Sequence, residues 1–509
     1  MSNSSPKIIA IYDYVVLAEG NIDWKERQSF QIKNKPHTNA IVLTATTSQA
    51  YLLVDSYAND FNVGDELVAN NHYNQVSTSM DFFGHIIDIN NQILDEPELN
   101  NNVHFEPTFA KTFDIASDMM HRKRLDRQLY TGIHAIDLFN PIGLGQRELI
   151  LGDRQTGKTH IALNTIINQK NQDVKCIYVS IGQKRQSLSY VYNTLKKYNA
   201  LDYTMIIDTP STSAFQQYLA PYVAMAHAEN IAKTHDVLVI YDDLTKHANI
   251  YREIALLTNK PIAKEAYPAD VFYAHSSLLE RSGAFIDKKT ITCLPILSTI
   301  DNDITSLISS NIISITDGQI VMNSNMFANG QLPAVDVDLS VSRTGSSVQT
   351  RAIAKIASKL SKIYRAYRKQ LKLSKVHYEF NNETNMLMIK GEQIQNFLLQ
   401  KNFVLHSPIG LIIATKAIGW ELLTNKYDTT KFMKFLSLLI NNDKRANKIF
   451  AAIINEQPID EQLAKAYFIS VANQFYKTVG VEYNIKSKLN TIGLADELLT
   501  ALVDKVVNR

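Results

Sequence analysis

The sequence predicts a multidomain chain built around a central α/β phosphate-loop domain, with an all-β domain before it and an all-α domain after it. Three observations predict this. Short β-rich runs fill residues 7 to about 78, strand and helix patterns alternate from 79 to about 350, and only helical periodicity follows. At 509 residues the chain is also too long for one core and should divide into about three domains. The boundaries read as 1–78, 79–350 and 351–509.

In the first domain Ile8 to Val16, Ala40 to Thr46, Ala50 to Asp55 and Asp65 to Ala69 are rich in Ile, Val, Leu, Tyr and Thr. Asn, Asp, Gly and Ser clusters separate them, as expected of a small barrel or sandwich. No catalytic constellation falls here. In the second domain the strand candidates are Glu148 to Leu151, Val174 to Ile181, Thr204 to Asp208, Val237 to Asp242 and Thr290 to Ser298. Alternation with helices predicts a parallel sheet covered on both faces, with ligands at the carboxyl ends of the strands.

The chemistry-bearing residues sit at those ends. Gly152 to Thr159 fits Gly-x4-Gly-Lys-Thr between an apolar run and a helix-period run. Gly152 and Gly157 allow successive N–H groups to curl round a phosphate. Lys158 would reach the β- and γ-phosphates, and the Thr159 hydroxyl would bind Mg²⁺. The start of the following helix adds partial positive charge to the same place. The run Val237 to Asp243 is an apolar strand ending in two carboxylates, of which Asp242 is assigned to Mg²⁺ through its water shell.

The strand Cys176 to Ile181 leads into Gly182-Gln183-Lys184-Arg185. An amide thus stands where hydrolysis wants a carboxylate base; glutamine can position water but does not ionise. A base-dependent site built around Gln183 binds ATP without turning it over quickly. Far downstream, Arg343 lies among small residues in Asp338 to Ser346. That setting suits an arginine offered in trans to a neighbour's γ-phosphate, worth about 10³ to 10⁵ in rate. Read alone, it suits an ordinary surface arginine equally well.

Composition narrows the classes further. The chain is 45% hydrophobic and 20% charged, ordinary for a folded protein, and its net charge of +2 shows no bias toward nucleic acid or anionic lipid. Cys176 and Cys293 make no disulfide framework and read as small core residues in a reducing compartment. Residues Met1 to Pro6 lack the apolar core of a secretory signal, and no apolar run approaches the roughly 20 residues of a membrane span. Any membrane association is therefore expected through partners.

In the third domain Ala352 to Leu373 carries Ile353, Ile356, Leu360, Ile363 and Tyr364 at helical spacing. Further helices are predicted over Gly391 to Gln400, Ile409 to Leu423, Thr430 to Asn441, Asp460 to Tyr476 and Ala495 to Val507. Tyr378 to Thr384 and Asn441 to Lys444 read as loops. Acidic residues interleave with the basic ones and no aromatic stacking surface is visible, so these are solvated helix faces and not a nucleic-acid patch.

Gly152-Asp-Arg-Gln-Thr-Gly-Lys-Thr159 resembles the phosphate loop of F-type ATP synthase α subunits. The resemblance continues through Gly145 to Ile150, Ile181 to Arg185, Gln217 to Tyr222, Ile240 to Leu244, Leu278 to Arg281, Ile313 to Gln319 and Leu339 to Arg343. It is very specific over the central domain, and weak over the first hundred residues and after about residue 375. It implies an N-terminal β-barrel, a RecA-like nucleotide domain and a C-terminal helical domain. It also implies three such chains alternating with three catalytic β-type subunits round a rotating γ-type shaft, on the cytoplasmic face of the membrane. The α subunits of this family hold Mg-ATP without hydrolysing it and lend an arginine, here Arg343, to the β site next door. Arg154, Gln155, Thr156, Gly157, Lys158 and Thr159 are then expected round phosphates and Mg²⁺, with Phe327 and Pro333 near the adenine of ATP or ADP.

The chain departs from that pattern in places. Phe403 and Leu405 stand before His406-Ser407-Pro408, where the family carries glutamines, and Leu332 replaces the arginine before Pro333. The family's N-terminal stator helix and its Gly-Asp-Gly-Ile run are missing. These losses fall on surfaces that join the ring to a stator and membrane rotor. With the resemblance they imply a divergent F-type-like complex of the kind known in wall-less bacteria, where some are linked to the gliding machinery of the cell surface. The competing reading is a self-sufficient hexameric ATPase of secretion or helicase type, which would need a carboxylate at Gln183. A fold that has lost nucleotide binding would not need intact Lys158, Thr159 and Asp242.

Overall fold

A computed structural model describes residues 5–55, 61–70, 74–170, 172–374, 382–400, 402–403, 408–424, 426–455, 457–486, 489, 491 and 493–507. The chain forms two compact units. The first comprises residues up to 131 with 142–330 and 334–344; the second comprises 132–141, 331–333 and 345 onward.

The first unit opens with six strands, β1 (Lys7–Tyr12), β2 (Val15–Glu19), β3 (Ser29–Ile32), β4 (Lys35–Ala45), β5 (Gln49–Val54) and β6 (Leu67–Asn70). They form one antiparallel sheet in the order β1-β2-β5-β4-β3-β6. A bridge between Lys7 and Glu66, with the N–H of Ile8 donating to Asp65 O at 3.1 Å, ties the first and last strands. Its core is Val16, Phe30, Val42, Leu52 and Trp24. The run Ile8 to Val16, expected as one strand, is a hairpin turning at Asp13, whose φ is +58°.

Short strands β7 (Gln75–Ser79), β8 (Ile86–Ile87), β9 (Phe105–Lys111), β10 (Gln128–Leu129) and β11 (Ile142–Gly143) follow, with α1 (His134–Phe139) belonging to the second unit. The remaining strands are β12 (Leu149–Asp153), β13 (Val174–Gln183), β14 (Thr204–Pro210), β15 (Asp236–Asp242), β16 (Ile291–Thr299), β17 (Gly318–Val321) and β18 (Val341–Ser342). With β8 these seven make an eight-stranded sheet ordered β18-β17-β12-β16-β15-β13-β14-β8. Every pairing is parallel except β17 with β18. Its strands are buried on both faces, so they read as continuous apolar runs. Between them run α2 (Lys158–Ile167), α3 (Arg185–Lys197), α4 (Ala214–Ile231), α5 (Leu244–Leu257), α6 (Val271–Leu279), α7 (Leu307–Ile315) and α8 (Ser324–Ala328). Helix α4 is buried nearly all round, packing Phe215, Leu219 and Val223 against Ile177, Val179 and Val239. Both cysteines lie free in this core.

The second unit is helical: α1, α9 (Arg351–Ser374), α10 (Asn382–Leu398), α11 (Pro408–Gly419), α12 (Thr429–Asn442), α13 (Lys444–Ile454), α14 (Glu461–Thr478) and α15 (Asp496–Val507). Helix α9 buries Ile353, Ala357, Leu360, Tyr364 and Tyr367, a stripe at three- and four-residue spacing. Phe432, Phe435, Phe475 and Tyr476 stack between α12 and α14, with Phe435 and Phe475 centroids 4.4 Å apart. The predicted loop at Asn441 to Lys444 is a single-residue break. The N–H of Asp443 donates to Leu439 O, and its carboxylate accepts from Ala446 N, ending one helix and capping the next. Residues 378–381 and 404–407 lie outside the described residues, whereas 382–384 begin α10 and not a loop. Among the described residues no helix is long and apolar enough to cross a membrane.

Candidate nucleotide site

The loop from Asp153 to Gly157 joins β12 to α2 at the carboxyl edge of the central sheet. Two glycines serve different ends there. A Cβ on Gly152 would lie 2.6 Å from Met322 Cβ and 2.7 Å from Met322 O, so only glycine fits beside β17. Gly157 has φ +95°, the left-handed backbone that turns the loop into the helix. Within the loop the Thr156 hydroxyl donates to Asp153 O at 2.8 Å. Lys158 is buried and its ammonium donates to the carbonyls of Gly152 and Asp153 at 2.8 and 2.6 Å. Burial lowers its pKa, and the charges of Asp243, Asp242 and Asp153 oppose that shift. Arg154 and Gln155 are exposed at the loop tip.

The second half of the site comes from two neighbouring strands. Strand β15 ends on Asp242, paired in register with Ser180 of β13. The buried Asp242 carboxylate accepts from the Thr159 hydroxyl at 2.8 Å and the Tyr178 hydroxyl at 2.6 Å. The Gln183 carboxamide donates to its other oxygen at 3.1 Å. Burial raises the Asp242 pKa, while the Tyr178 and Thr159 bonds oppose it. Asp243 turns away, capping α5 through Lys246 N and accepting from Ser298 Oγ at 2.9 Å. Thr159, Tyr178, Gln183 and Asp242 share the wall of a cavity of about 350 Å³. Arg154 and Asp153 border a second of about 800 Å³ on the β16 side.

Sequence-predicted residues Lys158, Thr159, Gln183 and Asp242 are therefore brought together. Tyr178 and Lys246, whose ammonium donates to Gly182 O at 2.8 Å, were not singled out. A lone tyrosine two residues before Ser180 in an aliphatic strand is the only signal for the first. Phe327 is exposed in α8, and Pro333 is half-buried in the second unit.

Arg343 sits elsewhere. In register, Leu149 faces Gln319 and Gly318 faces Ser342, so Arg343 follows the amino end of the sheet edge, opposite the phosphate loop. Its backbone N–H donates to Asp317 O at 2.9 Å, while the side chain is exposed and reaches Ile313 O at 3.4 Å. Beneath it, Gln146 donates to the buried Glu148 carboxyl at 2.6 Å and accepts from Thr344 Oγ1 at 2.7 Å. Burial raises the Glu148 pKa well above the carboxylate range, with the Arg343 charge opposing.

A glycine-framed loop between a buried strand and a helix start, facing a buried aspartate two strands away, places the molecule among the P-loop nucleotide-binding proteins. Residues 132–342 match the ATP synthase alpha/beta family, nucleotide-binding domain. The chain is 40% identical over 519 aligned residues to "ATP synthase subunit alpha 2" of Mycoplasmopsis pulmonis (strain UAB CTIP), spanning 100% of this chain and 99% of that one. It is 36% identical to "ATP synthase subunit alpha 1" of the same organism, over 90% of this chain and 87% of that one. It is 41% identical to "ATP synthase subunit alpha" of Carsonella ruddii (strain PV), over 77% and 83%. The chain belongs to the family of ATP synthase α subunits.

Proposed function

We propose that this chain is the nucleotide-holding, non-catalytic protomer of a rotary F-type ATPase ring. The observation that carries the reading is the carboxamide of Gln183 at 3.1 Å from Asp242, where a hydrolytic site requires an ionisable base. ATP or ADP would lie along Arg154 to Thr159, with Phe327 and Pro333 toward the adenine. Mg²⁺ fits the pair formed by the Thr159 hydroxyl and the Asp242 carboxylate, 2.8 Å apart. One hydroxyl and one carboxylate are the sparse protein ligand set this ion takes alongside waters and phosphates. When bound it neutralises phosphate charge; Lys158 holds the phosphates and Gln183 orients water without removing its proton. The experiment is a titration of the isolated chain with Mg-ATP followed by a turnover assay: tight binding with negligible hydrolysis is expected. Brisk hydrolysis by the lone chain would favour the self-sufficient hexamer.

Arg343, exposed and at the edge opposite its own phosphate loop, is assigned to the catalytic site of an adjacent β-type subunit. The assembly is three α-type and three β-type chains around a γ-type shaft, peripheral to the cytoplasmic membrane face and joined to it through other subunits. The three-domain division at 78 and 350 goes with that reading. So does a closed N-terminal barrel, supported by the contact of β1 with the segment before β6. A specialised complex driving surface motility in place of proton-coupled synthesis is the further reading. End-to-end similarity to a relative named "alpha 2" in an organism that also has an "alpha 1" supports it. Purification of the native complex decides: a proton-conducting membrane sector with synthase activity would overturn it.

A further inference from the structure

The helical unit contains a second charged cavity, of about 240 Å³, lined by no residue of the nucleotide reading. Four lysines line it, Lys355 and Lys359 from α9, Lys390 from α10 and Lys416 from α11. Lys355 and Lys359 are one helical turn apart and so share a face. Two carboxylates answer them: Lys390 meets Glu421 at 2.8 Å and Lys416 meets Glu461 at 3.0 Å. Lys355 and Lys359 make no ion pair with any described residue, although both act on Glu461 from a distance. The cavity therefore carries two ammonium charges beyond its carboxylates. Its floor is apolar, with Ile356, Leu360 and Ile394. Trp420 completes the wall, its ring 5.3 Å from the Lys416 ammonium. The residue is buried, so the ring forms a rigid side of the cavity. A cavity whose ammonium groups outnumber its carboxylates by two calls for an anionic ligand.

We propose that this cavity binds a small phosphate dianion, held by Lys355, Lys359 and Lys416 against Trp420. Its volume falls below the roughly 300–1,000 Å³ of sites for drug-sized ligands, which excludes a whole nucleotide. The dianion matches the surplus of two charges, and the apolar floor accommodates a compact organic body on a phosphomonoester. An acidic side chain from a partner protein would satisfy the lysines but leave an enclosed apolar floor without use.

The chain has two tryptophans, and Trp24 packs in the core of the N-terminal sheet, so a Trp24→Phe chain reports on Trp420 alone. The full chain in that background is titrated with inorganic phosphate, pyrophosphate and phenyl phosphate at matched ionic strength, with chloride as control. Saturable fluorescence change with phosphate species and none with chloride is expected. Tighter binding of phenyl phosphate than inorganic phosphate would identify an organic phosphate as the ligand; the reverse order would identify the free ion. Lys355→Ala with Lys359→Ala, both exposed and in a helix that tolerates alanine, should weaken binding at least about tenfold. Lys158→Ala should leave the Trp420 response unchanged, separating it from phosphate at the nucleotide loop. A linear, unsaturable response, or an isotherm indifferent to loss of Lys355 and Lys359, would overturn the proposal.

Discussion

Replacing Arg343 with alanine separates three quantities that the structure makes independent. The guanidinium is exposed and makes one long bond, 3.4 Å to Ile313 O, so its loss should cost the folded chain no more than about 0.5 kcal/mol. Strand β12 runs four residue steps from Leu149 to Asp153, about 13 Å at the usual rise, and the arginine lies beyond the near end. Across that span in water one charge feels another by about 0.3 kcal/mol before salt screening, so the lone chain's affinity for Mg-ATP should change less than about twofold. An arginine completing a neighbour's site should instead supply about 10³ to 10⁵ in rate, equivalent to about 4–7 kcal/mol of barrier. The assays are thermal unfolding and calorimetric ATP titration of the lone chain, and steady-state hydrolysis by the purified ring. Unchanged folding and binding with collapsed ring turnover is the expected pattern. Ring turnover within about threefold of the parent would refute the trans assignment, as would a joint loss of nucleotide affinity in the lone chain.

Other substitutions test the remaining parts. Gly152→Ala forces a methyl to within 2.6 Å of Met322 Cβ, and overpacking of this kind costs about 1–3 kcal/mol; a lower melting temperature together with lost ATP binding is expected. Asp242→Asn removes a carboxylate whose pKa is raised by burial, so the folded state takes up its proton before the unfolded state does. Its stability contribution is complete at low pH and falls as pH rises through the folded pKa. The asparagine chain should therefore be at least as stable as the parent at neutral pH without ligand, and should lose Mg²⁺-dependent stabilisation by ATP in a thermal-shift assay. His227 has the opposite sign: burial drives its pKa to about 3 from 6.5, so the unfolded chain protonates first and stability falls as pH drops through that window. His227→Leu should flatten acid unfolding by about 1.4 kcal/mol per pH unit there, with Thr78 still bonded to Asn230, as followed by circular dichroism.

Much of this arrangement is legible in the chain because local chemistry and fold agree. The loop Gly152 to Thr159 is bounded by an apolar strand and a helix, and Gln183 falls at the end of β13, where the sequence places it. What escaped the sequence depends on single residues or on pairing. The hairpin at Asp13 has neither glycine nor proline to mark it, so Ile8 to Val16 reads as continuous. Asp443 ends α12 and caps α13 at once, leaving no loop for composition to announce. Tyr178 reaches Asp242 only because β13 and β15 are neighbours in the sheet, an adjacency that a separation of 64 positions conceals. Arg343 reads as any surface arginine until strand register shows which end of the sheet it occupies.

That register constrains how the gene can drift. Between the strand feeding the phosphate loop and the strand leading into Arg343 lies only β17, four residues joined to both by main-chain hydrogen bonds. The Gln319 side chain, half-buried on that spacer, can be exchanged with little consequence for the arginine's aim, because the ladder runs through main-chain atoms. The spacer's length cannot change: inserting or deleting one residue there would turn the following side chains to the other face. Intolerance to insertion all along Gly318 to Val321, with replacement tolerated at half-buried Gln319 and refused at Gly318, where a Cβ would collide with Val341 O and the Glu148 carboxylate, is the expected mutational signature, and a deep scan of both kinds of change would display it.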